Sequence, residues 1–354
     1  MHHVSNKKRV LFVGGSMNQT TQMHQIARAL GDEIDAWFTP FYGTGVVRLL
    51  KRLELLDWTI AGGEWRKNTL AYMRDHGLRL DDEGKNTPYD LVVKCQDIIR
   101  QSNLDRERVI LVQEGMTDPE GFAFRLVQRA PFLPLWLAST AATGLSDRYV
   151  KFCVASEGYR DLFVKKGVRP EKLVVTGIPN FDDMGRFASC AVLPLEGYVL
   201  VVTSDARETF KLDDRMKFLR HACAIAAGRP MVFKLHPNEN RARATREIRS
   251  LAPDAIVRVE GKAEELVARC AVLVTEYSTT AYVGLALGKE VHSHFDVGEL
   301  ERLMPLQHGR AAEEIAAVCR DVLALEPRAV DASEGTRVRH LVPPSRSSES
   351  SAAE

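Results

Sequence analysis

Residues 9–31 read RVLFVGGSMNQTTQMHQIARALG, and this segment gives the clearest indication of the fold class. It opens with a continuous apolar run, turns on Gly14 and Gly15, and then places apolar residues at helical spacing as far as Gly31. A continuous apolar run before a tight turn and an amphipathic helix is typical of a parallel strand that is buried on both faces. The stretch therefore predicts the first strand–turn–helix unit of a parallel α/β sheet.

The same rhythm recurs along the chain. In the first half it predicts strands at 33–38, 108–113, 150–156 and 172–177, and helices at 46–56, 91–101 and 157–167. In the second half it predicts strands at 198–204, 231–235, 255–260, 272–276 and 289–293, and helices at 213–228, 263–270, 279–288 and 311–325. Strands that alternate with helices form parallel, doubly wound sheets, because each parallel neighbour needs a crossover. The predicted class is α/β, with two Rossmann-like domains facing a cleft.

Four segments follow from this rhythm. We assign residues 1–184 to an N-terminal Rossmann-like domain, 185–197 to a linker, and 198–325 to a C-terminal Rossmann-like domain. Residues 326–354 include the polar stretch PPSRSSESSAAE, which is too poor in apolar residues to form a core and predicts a disordered tail.

Composition excludes several classes of protein. The 48 Lys and Arg residues nearly cancel the 47 Asp and Glu residues, so no broad positive field argues for nucleic acid as a partner. The six cysteines show no CxxC pair or framework spacing, which favours reduced thiols in a cytoplasmic protein. No apolar run is long enough to span a bilayer, although peripheral association with the inner face of a cell membrane is compatible with the sequence.

The second-half strand at 231–235 delivers His236 to its end and is followed at once by Pro237. Proline restricts the preceding residue to extended geometry, which fixes the direction of the imidazole. Ligands of open parallel sheets bind beyond the carboxyl ends of the strands, so His236 is a candidate for donating to a phosphate oxygen or for accepting a proton in catalysis. Considered by itself, a His-Pro pair favours an ordinary turn in which a nearby carbonyl satisfies the histidine.

A second strand end in the same half carries a run of hydroxyls. Thr275-Glu276 ends the predicted strand, and Ser278, Thr279 and Thr280 precede a helix. Hydroxyls and free amides at a helix N-terminus can hold a phosphate without net positive charge, and the same residues can also serve as simple caps. Ser204 follows the first strand of this half and is a further candidate for binding a ligand, although it could equally cap a helix.

The first half offers carboxylates at the end of the strand at 108–113. Glu114 is our first candidate for a general base and Asp118 is the second, because both follow this strand toward the cleft. Asp118 could instead cap the helix that begins at Pro119. The glycine turn at residues 14–15 lacks the GxGxxG spacing, so a dinucleotide oxidoreductase is disfavoured.

The motifs KLHP (234–237) and VLVTEYSTTAYVGLALGKEV (272–291), set in two Rossmann-like halves, resemble those of the GT-B glycosyltransferases. The nearest likeness is to the capsule-polysaccharide and CDP-glycerol glycerophosphotransferase type. Residues 152–184 are also similar to the end of the N-terminal domain of the non-hydrolysing UDP-N-acetylglucosamine 2-epimerases. The likeness covers roughly residues 151–289, and the first 150 residues resemble the superfamily only in rhythm.

The resemblance implies that residues 1–184 form the acceptor domain and residues 198–325 the nucleotide-donor domain, and it implies roles for the candidate residues. His236, Pro237, Glu276 and the hydroxyls of Ser204, Ser278, Thr279 and Thr280 would bind the donor, and Glu114 would deprotonate an acceptor hydroxyl. Two departures matter: Val283 stands where many relatives have a ribose-binding glutamate, and HPNEN replaces the His-Arg-rich stretch of the epimerases.

The expected activity is metal-independent transfer of a sugar or polyol phosphate, with no cofactor. The donor would be nucleotide-activated, with cytidine as the leading base, and the acceptor a glycan or lipid-linked molecule in surface polysaccharide synthesis. Two alternatives stay open: an epimerase-like isomerase that acts without an acceptor, and a non-catalytic subunit that binds nucleotide-sugar without turnover.

Overall fold

The computed structural model describes residues 7–56, 59–117, 142–208 and 213–325. Its strands are β1 Lys8–Val13, β2 Ile34–Thr39, β3 Leu91–Lys94, β4 Val109–Val112, β5 Lys151–Val154, β6 Leu173–Val175, β7 Tyr198–Val202, β8 Met231–Lys234, β9 Ile256–Arg258, β10 Cys270–Thr275 and β11 Glu290–His292. Its helices are α1 Met17–Leu30, α2 Val46–Arg52, α3 Gly63–Asp75, α4 Glu157–Lys165, α5 Arg215–Ala226, α6 Arg241–Leu251, α7 Ala263–Val267, α8 Thr280–Ala286, α9 Val297–Arg302 and α10 Ala311–Ala324.

The strands form two sheets within the described ranges. The first has the order β2-β1-β3-β4-β5-β6 and the second the order β11-β10-β7-β8-β9. Every strand pairing in both sheets is parallel. The predicted α/β class with two parallel sheets is confirmed. Since all strands of a sheet run the same way, their carboxyl ends gather at one rim, and the candidate residues follow those ends.

One predicted element is wrong. Residues 91–101 were expected to form a helix, whereas Leu91–Lys94 is strand β3, which lies between β1 and β4. Leu91, Val92 and Val93 are completely buried because the strand is central and both of its faces are covered. A short apolar run of this kind has no period that separates a buried strand from a buried helix, so only its neighbours decide.

Helix boundaries also differ from the expectation. Helix α2 ends at Arg52 rather than extending to residue 56. Helices α3, α6 and α9 were not predicted. Helix α6 is a strongly polar segment whose buried residues are Ala244 and Ile248, so its apolar stripe is too thin to be conspicuous in the sequence.

The two halves pack directly against each other. The hydroxyls of Tyr159, on α4, and Tyr282, on α8, form a hydrogen bond of 2.7 Å, and both side chains are completely buried. A Cβ atom at Gly158 would lie 2.0 Å from the carbonyl oxygen of Arg302, so glycine is required for this close approach. These contacts bring the rims of the two sheets together.

The last helix, α10, crosses back to the first half. Its buried residues Ile315 and Cys319 share a core with Phe12 and Ile26 of β1 and α1. The predicted segment 198–325 groups this helix with the second half, whereas its apolar face packs on the first. The domain boundaries themselves stay a prediction. None of the helices in the described ranges is long and apolar enough to cross a bilayer.

Candidate functional site

Glu114, directly beyond β4, is held by the start of α1. Ser16 is the N-cap of α1 and donates from Oγ to Glu114 Oε1 at 2.6 Å. Gln19 Nε2 donates to Glu114 Oε2 at 2.6 Å, and Gln22 Nε2 donates to the Glu114 carbonyl oxygen at 2.9 Å. Three side chains from the first two turns of one helix therefore fix both the backbone and the carboxylate of Glu114.

Burial raises the pKa of the Glu114 carboxyl above its ordinary value, while the hydrogen bonds from Ser16 and Gln19 act in the opposite direction. A carboxylate with a raised pKa is a stronger base, as removal of a proton from a hydroxyl requires. The sequence pattern identified Glu114 but missed its support, because no motif links Gln19 to a residue 95 positions away.

The raised pKa predicts how the Glu114→Gln variant responds to pH. The folded protein binds the Glu114 proton more tightly than the unfolded chain does, so the wild type loses stability as the pH rises from the unfolded toward the folded pKa. Glutamine does not titrate. We therefore expect the free energy of unfolding of the variant, relative to that of the wild type, to increase as the pH is raised from about 4 to about 7. Urea unfolding at both pH values measures this, and a constant difference between the two proteins would contradict it.

The first-half rim touches the hydroxyl run of the second half. A Cβ atom on Gly115, the residue after Glu114, would lie 3.0 Å from Thr279 Cγ2. The backbone beside the candidate base therefore lies next to the segment Ser278–Thr280. A residue adjacent to the predicted Glu114 thus contacts the predicted Thr279.

Glu276 lies at the end of β10 and is buried, with an exposed fraction of 6%. Ser204 donates from Oγ to Glu276 Oε2 at 2.6 Å, which joins the ends of β7 and β10. Burial raises the pKa of the Glu276 carboxyl, the nearby Asp213 charge adds to this, and the Ser204 hydrogen bond opposes it. Two predicted binding residues, Ser204 and Glu276, are thus direct partners.

The hydroxyl run itself adopts a tight local arrangement. Ser278 Oγ accepts from the backbone N–H of Thr280 at 3.2 Å and lies 3.1 Å from its hydroxyl. Thr279 is the N-cap of α8 and makes no capping hydrogen bond with its side chain. Ser278 and Thr280 therefore satisfy each other in part, and Thr279 faces the first-half rim.

His236 is anchored on both its backbone and its ring. Its backbone N–H donates to Glu239 Oε2 at 2.8 Å. Ring atom Nδ1 accepts from the backbone N–H of Asn238 at 3.3 Å and lies 3.6 Å from Asp205 Oδ2. Asn238 Nδ2 also donates to Asp205 Oδ2 at 2.9 Å, so the ring, Asp205 and Asn238 form one group.

These contacts set the proton on the imidazole. Burial lowers the pKa of His236, and the Lys234 charge adds to this effect, whereas the Asp205 and Glu208 charges oppose it. A lowered pKa keeps the ring neutral near pH 7, which is above the ordinary histidine value of about 6.5. A neutral ring whose Nδ1 accepts from Asn238 carries its hydrogen on Nε2, and Nε2–H is the donor available to a ligand.

The remaining predicted residues are placed as follows. His236 and the hydroxyl run follow β8 and β10, with β7 between them, so roughly 10 Å of sheet separates their strands. Pro237 is exposed. Asp118 lies outside the described residues. A separate crevice of about 270 Å³ contains none of the predicted residues, and its lining is Asp183, Gly185, Ala286, Met304 and Gln307.

No protein-family model matches the chain, and no curated protein matches it in sequence. Solved structures do match it. The UDP-GlcNAc 2-epimerase of Neisseria meningitidis, bound to UDP-GlcNAc, is 10% identical, with a TM-score of 0.52 over 88% of this chain and 100% of that one. The UDP-GlcNAc 2-epimerase of Methanocaldococcus jannaschii, in complex with UDP-GlcNAc and UDP, is 11% identical, with a TM-score of 0.53 over 89% and 99%.

The wall teichoic acid polymerase TagF also matches, at 10% identity and a TM-score of 0.50 over 89% of this chain and 88% of that one. The predicted likeness is therefore confirmed for the fold alone, which the chain shares with the epimerases and with the polymerase. At these identities the likeness does not extend to the reaction.

Proposed function

We propose that this protein is a glycosyltransferase-type enzyme that moves a sugar or polyol phosphate from a nucleotide-activated donor to a hydroxyl of a glycan or lipid-linked acceptor. The supporting observation is the approach of Gly115, the residue after Glu114, to Thr279, because the backbone that carries the candidate base adjoins the segment that carries the candidate donor-binding hydroxyls. The sequence likeness favours a cytidine-linked donor and a role in surface polysaccharide synthesis on the cytoplasmic side of the membrane.

On the donor side, the leaving nucleotide gains negative charge as its bond to the transferred group breaks. His236 Nε2–H would donate to a phosphate oxygen, and the Ser278–Thr280 segment would supply hydroxyl and amide donors. A positioned donor in a site that excludes water can lower the barrier by roughly 3 kcal/mol. In the proposed reaction these groups stabilise the developing negative charge, so no metal is needed.

On the acceptor side, Glu114 would take the proton of the attacking hydroxyl. The acceptor oxygen then forms a bond to the sugar carbon or to the phosphorus of the polyol phosphate, while the bond to the nucleotide phosphate oxygen breaks. Ser16 and Gln19 hold the carboxylate in one orientation during this step. Proton removal by a positioned base contributes roughly 100- to 10,000-fold to a rate.

An epimerase-like isomerase is the second candidate. It is favoured by the coverage of the two epimerase structures, which match over 99–100% of their own lengths. The same fold would serve such a reaction, and so would the phosphate grip, by which we mean His236 together with the Ser278–Thr280 segment. Carboxylates in the cleft would then act on a sugar carbon. The difference between the two candidates lies in the need for an acceptor.

Both candidates can be separated with the wild-type protein. Thermal-shift measurements with CMP, CDP, UDP, GDP and dTDP identify the nucleotide that stabilises the fold. The corresponding nucleotide-sugar or CDP-glycerol is then incubated with and without a mixture of glycan and lipid-linked acceptors. A transferase releases nucleotide when acceptor is supplied, and an isomerase converts the donor without it. Binding with neither reaction would indicate a non-catalytic subunit.

A further inference from the structure

A buried ion pair, Arg215–Glu239, lies behind His236. The side chains of Arg215 and Glu239 are 4% and 1% exposed, and Arg215 Nη2 donates to Glu239 Oε1. Glu239 follows His236 by three positions in the turn after β8, whereas Arg215 is the first residue of α5. The pair therefore joins the turn that contains His236, the candidate phosphate-binding residue, to a helix from another part of the second half.

The pair also ties together neighbouring strand ends. Arg215 Nη2 donates to the carbonyl oxygen of Ser204 at 3.0 Å, at the end of β7. Glu239 Oε2 accepts from the His236 backbone N–H at 2.8 Å and from the Thr203 hydroxyl. Since Ser204 bonds to Glu276 beyond β10, one hydrogen-bonded chain runs through the ends of β7, β8 and β10.

The next helix is capped without this pair. Asn240 already caps α6, because its Oδ1 accepts from the Arg243 backbone N–H at 3.0 Å. Removing two charges from water is costly, and an apolar pair of similar size would often be as stable or more so. A buried pair that bonds to three strand-end groups instead fixes geometry, as supporting residues do around binding sites.

We propose that Arg215 and Glu239 are positioning residues that hold His236 in the orientation from which Nε2–H reaches the donor phosphate. This inference rests on the proposed function, since it concerns the same phosphate grip. Glu239 fixes the backbone of His236, Arg215 fixes Glu239, and the Ser204 carbonyl locks Arg215 to the adjacent strand end. Neither residue contacts the ligand.

A double-mutant cycle of Glu239 and His236 tests the positioning role. Titration calorimetry measures the affinity of each variant for CDP and UDP. We expect Glu239→Gln to weaken binding of the preferred nucleotide roughly 10-fold, within the range of coupled residues. Adding Glu239→Gln to His236→Ala should change affinity less than about 2-fold, because a residue that acts through His236 has no effect once the imidazole is absent. Glutamine retains the shape and one acceptor but loses the charge that holds Arg215.

Glu299→Gln is the matched control. Glu299 pairs with Arg302 in the same half through two hydrogen bonds of 2.8 and 2.6 Å, and within the described residues neither side chain bonds to the His236 turn. Its substitution should leave nucleotide affinity unchanged. If Glu239→Gln does not fold, Thr203→Val removes one hydrogen bond to Glu239 and should weaken binding in the same direction. Nitrogen NMR gives a second measurement. The imidazole signal of His236 is assigned by its absence from the spectrum of His236→Ala, and its chemical shift should change in both Glu239→Gln and Thr203→Val.

The outcomes separate the inference from the proposed function. If His236→Ala leaves nucleotide affinity intact, the phosphate grip and therefore the proposed function are wrong. If His236→Ala weakens binding but Glu239→Gln does not, the positioning role is wrong and the grip survives. Equal losses from Glu239→Gln in the presence and absence of His236 would show a general structural effect and would also overturn the positioning role.

Discussion

Glu114→Gln is expected to reduce acceptor-dependent nucleotide release about 1,000-fold while nucleotide binding stays within about 2-fold of the wild type. Glutamine keeps the shape of the side chain and an oxygen that can accept from Ser16, but it cannot take a proton. The loss should therefore fall on the rate and not on donor affinity. Initial rates at saturating donor and acceptor, together with calorimetric titration of the nucleotide, measure both quantities.

Glu107→Gln is the control for this prediction. Glu107 is a half-buried carboxyl that also has a raised pKa owing to burial, and it precedes the same strand, β4, at its amino end. Its substitution should leave the rate unchanged. A Glu114→Gln enzyme with a wild-type rate would show that another group removes the acceptor proton, and an equal loss in Glu107→Gln would point to a structural effect.

His236→Ala should abolish most of the thermal stabilisation by the preferred nucleotide and weaken its binding by about 10- to 100-fold. That range follows from the loss of one hydrogen bond to a charged phosphate, which is worth roughly 1.5–3 kcal/mol. The variant should not weaken binding of the corresponding nucleoside, because the imidazole would contact only phosphate. Thermal shift and calorimetry with nucleotide and nucleoside provide the comparison.

His221→Ala is the matched substitution for His236→Ala. His221 lies on the exposed side of α5 in the same half, away from the strand ends. It should leave the nucleotide-induced shift unchanged. An unchanged shift in His236→Ala would remove the basis of the transferase proposal, whatever the outcome of the Glu114 experiments.

Much of the site follows from the position of residues after strands. Glu114, Ser204, His236 and Glu276 were found because parallel strands end at one rim and polar residues follow those ends. Their supports were missed for a common reason. Gln19 bonds to a residue 95 positions away, and Arg215 to one 24 positions away, so neither contact leaves a local pattern. The roles of the candidate residues stay predictions.

The tertiary structure also corrected local patterns that were ambiguous. Leu91–Lys94 is a strand because β1 and β4 lie on either side of it, and its sequence fits a helix equally well. Helix α10 follows the second sheet in the chain but packs on the first, because the apolar face that includes Ile315 matches the core around Phe12.

The α/β class, the two parallel sheets and the strand ends that carry polar residues could be predicted from the amino-acid sequence, because each of them produces a short-range periodic pattern. The contact between Gly115 and Thr279, and the position of Arg215 and Glu239 behind His236, emerged only from the three-dimensional structure. Contacts of this kind depend on how two separately folded sheets pack, and that packing is set by complementary surfaces distributed over the whole chain.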